Sequence, residues 1–263
     1  MEKFYCISYF DGDCSWVKTL SDPYIVYNKS GSGLEHYDNV IDIPNVGYNI
    51  SSYLRFIIEN YDALPDVTVF CKNNVFPRHV SREIFDKISR EYVFSPIHDA
   101  SSWENMDFPV SGVCNSGYFL EINNSWYCSN YDRKFFSSYN EFYSFIFGTR
   151  VFPMYLSFSP GANFVVPREN LLLRTKCFYE NLLVFVDHSQ LSCESHFVER
   201  SLLAIWSSTQ ATAVQMNSPL SKTKHQELTD KCMDQVSSES RLVMKIRSSL
   251  YVFFCRLAGK AFL

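Results

Sequence analysis

The chain has 263 residues and a mass of 30.6 kDa, enough for one large domain or a core domain with an appendage, and too long for a small disulfide scaffold. Hydrophobic residues make up 46% and charged residues 20%, which excludes collagen, a long coiled coil and wholesale disorder. A net charge of -4 lacks the cation excess that duplex DNA requires, so nucleic acid is not expected as a partner.

Phe4 to Phe10 and Tyr24 to Tyr27 are short apolar and aromatic runs bounded by Gly, Asp and Ser, and predict two strands. Cys14 to Leu20, between them, predicts a short helix. From Asn45 to Tyr61, Ile50, Tyr53, Leu54, Ile57, Ile58 and Tyr61 recur at helical spacing, the clearest helix signal in the chain. Pro65-Asp66 reads as a turn, and Val67 to Cys71 as a buried strand. This alternation predicts an α/β domain with a parallel sheet, whose ligands sit at the carboxyl ends of the strands. Asp11, Asp13, Asn28, Lys29, Lys72, Asn73 and Asn74 follow predicted strands and form the candidate rim.

From about Trp103 to Phe147 the chain is rich in Ser, Asn, Tyr and Phe. Tyr118 to Ile122 and Ser125 to Cys128, separated by Asn123-Asn124, predict a hairpin, and Phe135 to Phe147 an aromatic helix. A strand at Tyr155 to Phe158, a tight loop at Ser159 to Asn163 and a strand at Phe164 to Val166 follow. Helical spacing then covers Arg168 to Leu173, Phe178 to Val186 and about Ser195 to Trp206. These divide the chain into a domain over 1–206, a polar linker over 207–239 and a basic amphipathic helix over 240–263. The last segment has Arg241, Lys245, Arg247, Arg256 and Lys260 but no acid, and is too polar to span a bilayer. It suits an anionic membrane surface, the alternative being a terminal helix packed on the domain or on a second subunit.

Nine cysteines are scattered without a Cys-x-x-Cys pair, and the N-terminus has no basic stretch followed by a long apolar run. Free buried thiols and a cytoplasmic setting, peripheral on a membrane at most, are expected. Three constellations carry chemistry. Asp11-Gly12-Asp13 offers two carboxylates for Mg²⁺ or Mn²⁺ under a diphosphate, or an ordinary turn ending the first strand. Lys72-Asn73-Asn74 offers a cation and two amides for phosphate or sugar hydroxyls, or a solvated loop. Cys193 to Arg200 opens a helix: His196 and Arg200 share a face, and Glu194 lies where the helix dipole favours its charge, so the group reads as a general-base site or as a capping cluster. Gly-x-Gly-x-x-Gly, Walker, Gly-x-Ser-x-Gly and His-Glu-x-x-His motifs are missing, so kinase, hydrolase-elbow and zinc-protease readings lose their usual support, and Mg²⁺ or Mn²⁺ is the one cofactor the residues offer a place for.

Several blocks together resemble an uncharacterised microbial domain family related to glycosyltransferases of the GT-A fold. They are Ile25 to Lys29, Asn45-Val46-Gly47 with Tyr53-Leu54, Ile58 to Tyr61, Leu64-Pro65-Asp66, Val69-Phe70, Pro160 to Val166 and Glu199-Arg200. The resemblance runs from Phe4 to Trp206. It implies a GT-A-like, Rossmann-like and mostly parallel central sheet flanked by helices, with a C-terminal helical appendage. It also implies transfer of a sugar from a nucleotide-sugar donor to a hydroxyl of a glycan or lipid-linked acceptor, as in polysaccharide synthesis. Two departures stand out: Tyr48-Asn49 replace an Arg-Glu pair, and Lys72-Asn73-Asn74 replace an acidic segment. In the resulting picture Asp11, Asp13, Asn28 and Lys29 line the nucleotide pocket with Tyr9 or Phe10 stacked on the base. Lys72, Arg78 and His79 stabilise the diphosphate, with Asn73 beside them. Gly161, Ala162 and Asn163 lie beneath donor and acceptor, and Glu194 or Glu199 is the base, oriented by His196 or Arg200. The other readings are an inactive carbohydrate-binding or scaffold protein of the same fold, and a transferase that modifies a nucleic-acid base or a protein side chain.

Overall fold

The computed structural model describes residues 1–99, 111–113, 118–208 and 210–261. Trp103 and Cys114 therefore lie outside the described residues, as do positions 262 and 263 of the C-terminal segment. The fold is α/β, built on a six-stranded sheet.

Strand β1 (Lys3–Tyr9) is its buried centre, paired in parallel with β2 (Tyr24–Asn28) on one side and β4 (Val67–Lys72) on the other. β3 (Val40–Asp42) adds in parallel beyond β2. β9 (Phe164–Pro167) runs antiparallel to β4, and β5 (Ser95–Pro96) antiparallel to β9, so the order is β3-β2-β1-β4-β9-β5. A mostly parallel sheet was expected, and the sheet is mixed. The reason is the approach to β9. A parallel crossover needs a dozen or more residues, whereas only residues 159–163 separate β9 from β8 (Tyr155–Phe158). The chain therefore enters β9 beside the carboxyl end of β4, where Phe164 faces Phe70.

β8 belongs to a second, three-stranded antiparallel sheet with β7 (Phe119–Ile122) and β6 (Ser111–Val113). The hairpin expected between 118–122 and 125–128 does not form. Ser125 takes a left-handed conformation and Trp126–Ser129 is a 3-10 helix, so β7 pairs with β8 and β6 instead. Of the expected helix over Phe135 to Phe147, α3 (Tyr139–Phe147) begins where the Ser138 hydroxyl accepts from Glu141 N–H.

Side-chain alternation along the strands builds two cores. Cys6, Phe70, Phe164 and Val166 face one way, and Tyr5, Ile7, Val69, Cys71 and Val165 the other. The first face meets α1 (Ile50–Glu59), α3, α5 (Lys176–Val186) and α6 (Cys193–Ser207) in an aromatic core, in which Trp206 stacks on Phe70 with ring centroids 5.3 Å apart. The second face meets α2 (Arg82–Ser89) and the short 3-10 helix Ser15–Thr19. α4 (Arg168–Leu171) follows β9 directly. α1 starts at Ile50, the first residue of the apolar spacing and five residues into the expected segment, because Gly47 and Tyr48 sit at φ +67° and +50°, outside the helical region. The described cysteines are free, and Cys6, Cys14, Cys71, Cys128, Cys193 and Cys232 are buried.

Within the expected linker, Lys222–Ser238 forms helix α7, with Leu228 and Cys232 as its buried residues and Lys231 paired to Glu141 at 2.6 Å. The last segment is helix α8 (Arg241–Ala261). Among the described residues no helix is long and apolar enough to cross a membrane.

Candidate functional site

A cleft of about 410 Å³ opens at the junction of β4 and β9, on the edge where the parallel strands end. Five pieces of chain wall it: Tyr48 and Asn49 before α1, Lys72 at the end of β4, Arg78 and His79 before α2, Pro160 and Gly161 between β8 and β9, and the first turns of α6. Trp126 and Tyr131 close the side nearest the second sheet. Helix geometry explains the α6 contribution, since 195, 196, 199 and 200 fall on one face.

Glu199 and Arg200 are locked together. Glu199 Oε1 accepts from Gly161 N–H at 2.8 Å, while Oε2 lies 2.8 Å from Arg200 Nη1 and 3.6 Å from His196 Nδ1. Burial opposes ionisation of Glu199, but His196, the Arg200 charge and the Gly161 amide outweigh it and hold the carboxyl down at about 2. Arg200 also donates to both oxygens of Glu121, at 3.0 and 3.2 Å, and lies over the rings of Phe158 and Tyr127. Burial works against its charge, yet the two carboxylates raise its pKa above the ordinary arginine value.

His196 stacks on Tyr131 at 4.5 Å between ring centroids and meets Tyr48 edge-on at 5.0 Å. Its Nε2 is buried and has no hydrogen-bond partner among the described residues. A carboxylate beside Nδ1 and an unbonded Nε2, buried in the present packing of the rings, match a general base oriented through its other nitrogen. Burial raises the Tyr48 phenol to about 12, aided by Tyr131, so it stays a neutral donor.

The same cleft also carries cations. Lys72 is half-buried, and its ammonium has no hydrogen-bond or ion-pair partner among the described residues. Burial lowers its pKa first, then repulsion from Arg78, with Glu199 opposing. His79 is 6% exposed, and neither ring nitrogen has a hydrogen-bond partner among the described residues. A Cβ on Gly161, at φ +78°, would sit 2.8 Å from His79 Nε2, so glycine allows this close approach. Burial, Lys72 and Arg78 push the imidazole down to about 4, leaving it neutral near pH 7.

This gives an expected pH response. The ordinary value for His79 is 6.5, so the unfolded chain binds the proton between 6.5 and about 4 and the folded one does not. Stability should fall as pH drops through that window, by up to about 3 kcal/mol at its lower end. Urea midpoints across pH 7 to 4 check it: the decline should be shallower in His79→Gln, and an identical decline would assign the effect to other groups.

Of the residues expected from sequence, the cleft gathers Lys72, Arg78, His79, Gly161, His196, Glu199 and Arg200. The others lie elsewhere. Asp13 accepts from the Ser15 N–H and hydroxyl at 2.8 and 2.9 Å, capping the 15–19 turn, and Asp11 is exposed beside it. Asn73 donates to the Asp11 carbonyl at 2.6 Å and so holds that turn. Asn28 is buried between Asp42 and Ser30. The Lys29 ammonium is buried against the Val46 and Tyr48 carbonyls and the Ser51 hydroxyl, and desolvation lowers it to about 7. Asn163 braces the loop, accepting from Lys72 N–H and donating to Pro160 O. Tyr9 is buried, and Phe10 is exposed.

Glu194 is fully buried, and its carboxylate accepts the N–H groups of Lys134, Phe135 and Phe136 and faces His188 Nε2 at 2.9 Å. It staples the start of α6 to the 134–136 turn. The Asp13 carboxylate is engaged by Ser15, and among the described residues no set of three His, Cys, Asp or Glu side chains is gathered. Tyr48, Trp126, Tyr131 and Glu121 carry no sequence signal of their own, apart from the Tyr48-Asn49 departure.

One family model matches residues 8–222, most of the chain, under the description "Protein of unknown function (DUF3431)". The chain belongs to the DUF3431 family. Every cleft residue of this DUF3431 member, from Tyr48 to Arg200, lies inside the matched span, whereas α8 lies outside it. No curated protein and no solved structure matches.

Proposed function

We propose that the cleft binds a nucleotide-sugar donor and transfers its sugar to a hydroxyl acceptor, in glycan or polysaccharide synthesis. The observation that carries this reading is that one cleft brings together a cationic group and a histidine–carboxylate pair. Lys72, Arg78 and neutral His79 form a partly desolvated donor surface suited to a diphosphate, and His196 with Glu199 supplies a base in the same cleft. The site also lies at the carboxyl ends of the parallel strands, and the antiparallel β9 inserted beside β4 is compatible with a GT-A-like sheet.

The step balances as a single displacement. His196 Nε2 takes the acceptor hydroxyl proton, the acceptor oxygen bonds to the anomeric carbon, and the bond from that carbon to the diphosphate oxygen breaks. The charge arriving on the diphosphate is met by Lys72, Arg78 and His79. Glu199 keeps the imidazole oriented and stabilises it once protonated. The roles of Glu199 and His196 are thus exchanged relative to the expectation from sequence. Trp126, Tyr131 and Tyr48 supply ring faces for the sugar. That aromatic wall also favours a second reading, a sugar-binding protein without turnover.

A thermal-shift screen of nucleoside diphosphates and nucleotide sugars, with and without Mn²⁺, tests the proposal. At a hundredfold excess over Kd a bound nucleotide adds about 2.7 kcal/mol, roughly 5 to 10 °C for a chain of this size. The shift is expected without Mn²⁺, and turnover is expected to persist in excess chelator, because Lys72 stands where an acidic segment was expected. A panel in which no nucleotide shifts the melting temperature would contradict the donor assignment, and a sugar-only shift would favour the second reading.

A further inference from the structure

Helix α8 carries an exposed apolar strip, one edge of which, at Leu250 and Phe254, also borders a cavity of about 710 Å³ against Asn123 to Ser125 and Ser137. Leu242, Val243, Ile246, Leu250, Phe253, Phe254 and Leu257 are each 45 to 67% exposed. At about 100° per residue they fall within one arc of about 120°. Met244, Ser248, Val252 and Cys255 lie on the opposite side and are half-buried, and Arg133 Nη1 reaches the Met244 sulfur at 3.3 Å. The helix is therefore seated by its other face, against Trp126–Ser129, and its apolar arc stays uncovered.

Charge decides what fits that arc. On the same helical wheel Lys245 and Arg256 border one edge and Arg247 the other, and no acidic residue occurs from Ser240 to the end of the chain. Arg247 pairs with Glu239 and Arg241 lies 3.8 Å from Asp132, while Lys245 has no acid partner among the described residues. A second copy of the same helix would set cations against cations along both borders. An anionic lipid surface satisfies both borders and the arc together.

We propose that α8 lies in the plane of an anionic membrane surface, with the arc sunk among the headgroups, Lys245 reaching lipid phosphates and Arg247 and Arg256 adding positive charge along its edges. The helix is about 31 Å long, and adsorption along it would hold the cleft close to the lipid, since Trp126 belongs to both the seat of α8 and the cleft wall. The inference is independent of the chemistry assigned to the cleft.

Flotation of the full chain with vesicles of phosphatidylcholine alone, or mixed with phosphatidylserine, tests it. Binding is expected only to the phosphatidylserine-containing vesicles, and weaker at high salt. Phe253→Ser combined with Phe254→Ser should lower vesicle partitioning roughly tenfold or more, while the melting temperature without lipid stays nearly unchanged because both rings are exposed. Lys245→Glu should weaken binding with the rings intact. Failure to float with phosphatidylserine vesicles at low salt would overturn the proposal. So would unchanged flotation of the double Phe variant, or a lipid-free dimer that the same variant dissociates.

Discussion

His196→Gln is expected to lower turnover by about two to four orders of magnitude, the usual share of a positioned general base, while nucleotide affinity stays near that of the parent protein. The imidazole is carried by α6 and held by Tyr131, Tyr48 and Glu199, not by the segments that carry Lys72, Arg78 and His79, so removing it leaves the anion-binding residues in place. Its ring is held by Tyr131 and Tyr48, and losing that stacking should cost about 1 kcal/mol, a shift of a few degrees in melting temperature. Glu199→Gln should also reduce turnover, and lower stability as well, because it removes one of the two carboxylates that neutralise buried Arg200. Single-turnover kinetics together with calorimetric nucleotide titration separate the two effects. Full turnover in His196→Gln would place the base elsewhere.

Glu194→Ala is expected to destabilise the fold by about 4 kcal/mol, or roughly 10 °C in melting temperature. The carboxylate is 0% exposed and accepts three backbone N–H groups at 2.9, 2.7 and 3.4 Å. Alanine would leave these donors buried without an acceptor and add a cavity at the start of α6. Glu194→Gln keeps an acceptor oxygen in place and should recover much of the loss. Urea unfolding of the two variants measures the difference. If Glu194→Ala unfolds like the parent, the 134–136 turn has found other partners and the staple is not what holds α6.

These two glutamates show where sequence reasoning stops. Both stand in the first turns of one predicted helix, and the i, i+4 pairing of His196 with Arg200 correctly signals a shared face. What separates them is distant in sequence: Glu194 meets amides about 60 residues away, and Glu199 meets the Gly161 amide 38 residues away. Lys29 and Lys72 divide in the same manner. Each follows a strand, but the chain after β3 returns over Lys29 and offers it carbonyls, and Lys72 faces open space in the cleft. Strands β1, β2, β4, β8 and β9 were legible because buried strands need continuous apolar and β-branched runs. The direction of β9 was not, being set by loop length rather than by the strand's own residues. Helix α7 escaped because it buries only Leu228 and Cys232 and shows no apolar stripe.

The most direct measurement is a calorimetric titration of the nucleoside diphosphate identified by the thermal screen into the parent protein, Lys72→Met and Asp13→Ala. Loss of one charge-assisted contact weakens binding by about 1.5 to 3 kcal/mol, so Lys72→Met should bind roughly ten- to a hundredfold more weakly at nearly unchanged melting temperature. Asp13→Ala should bind like the parent protein, since Asp13 caps the 15–19 turn outside the cleft. Parent-like affinity in Lys72→Met, or a loss confined to Asp13→Ala, would contradict the assignment of the diphosphate to this cleft.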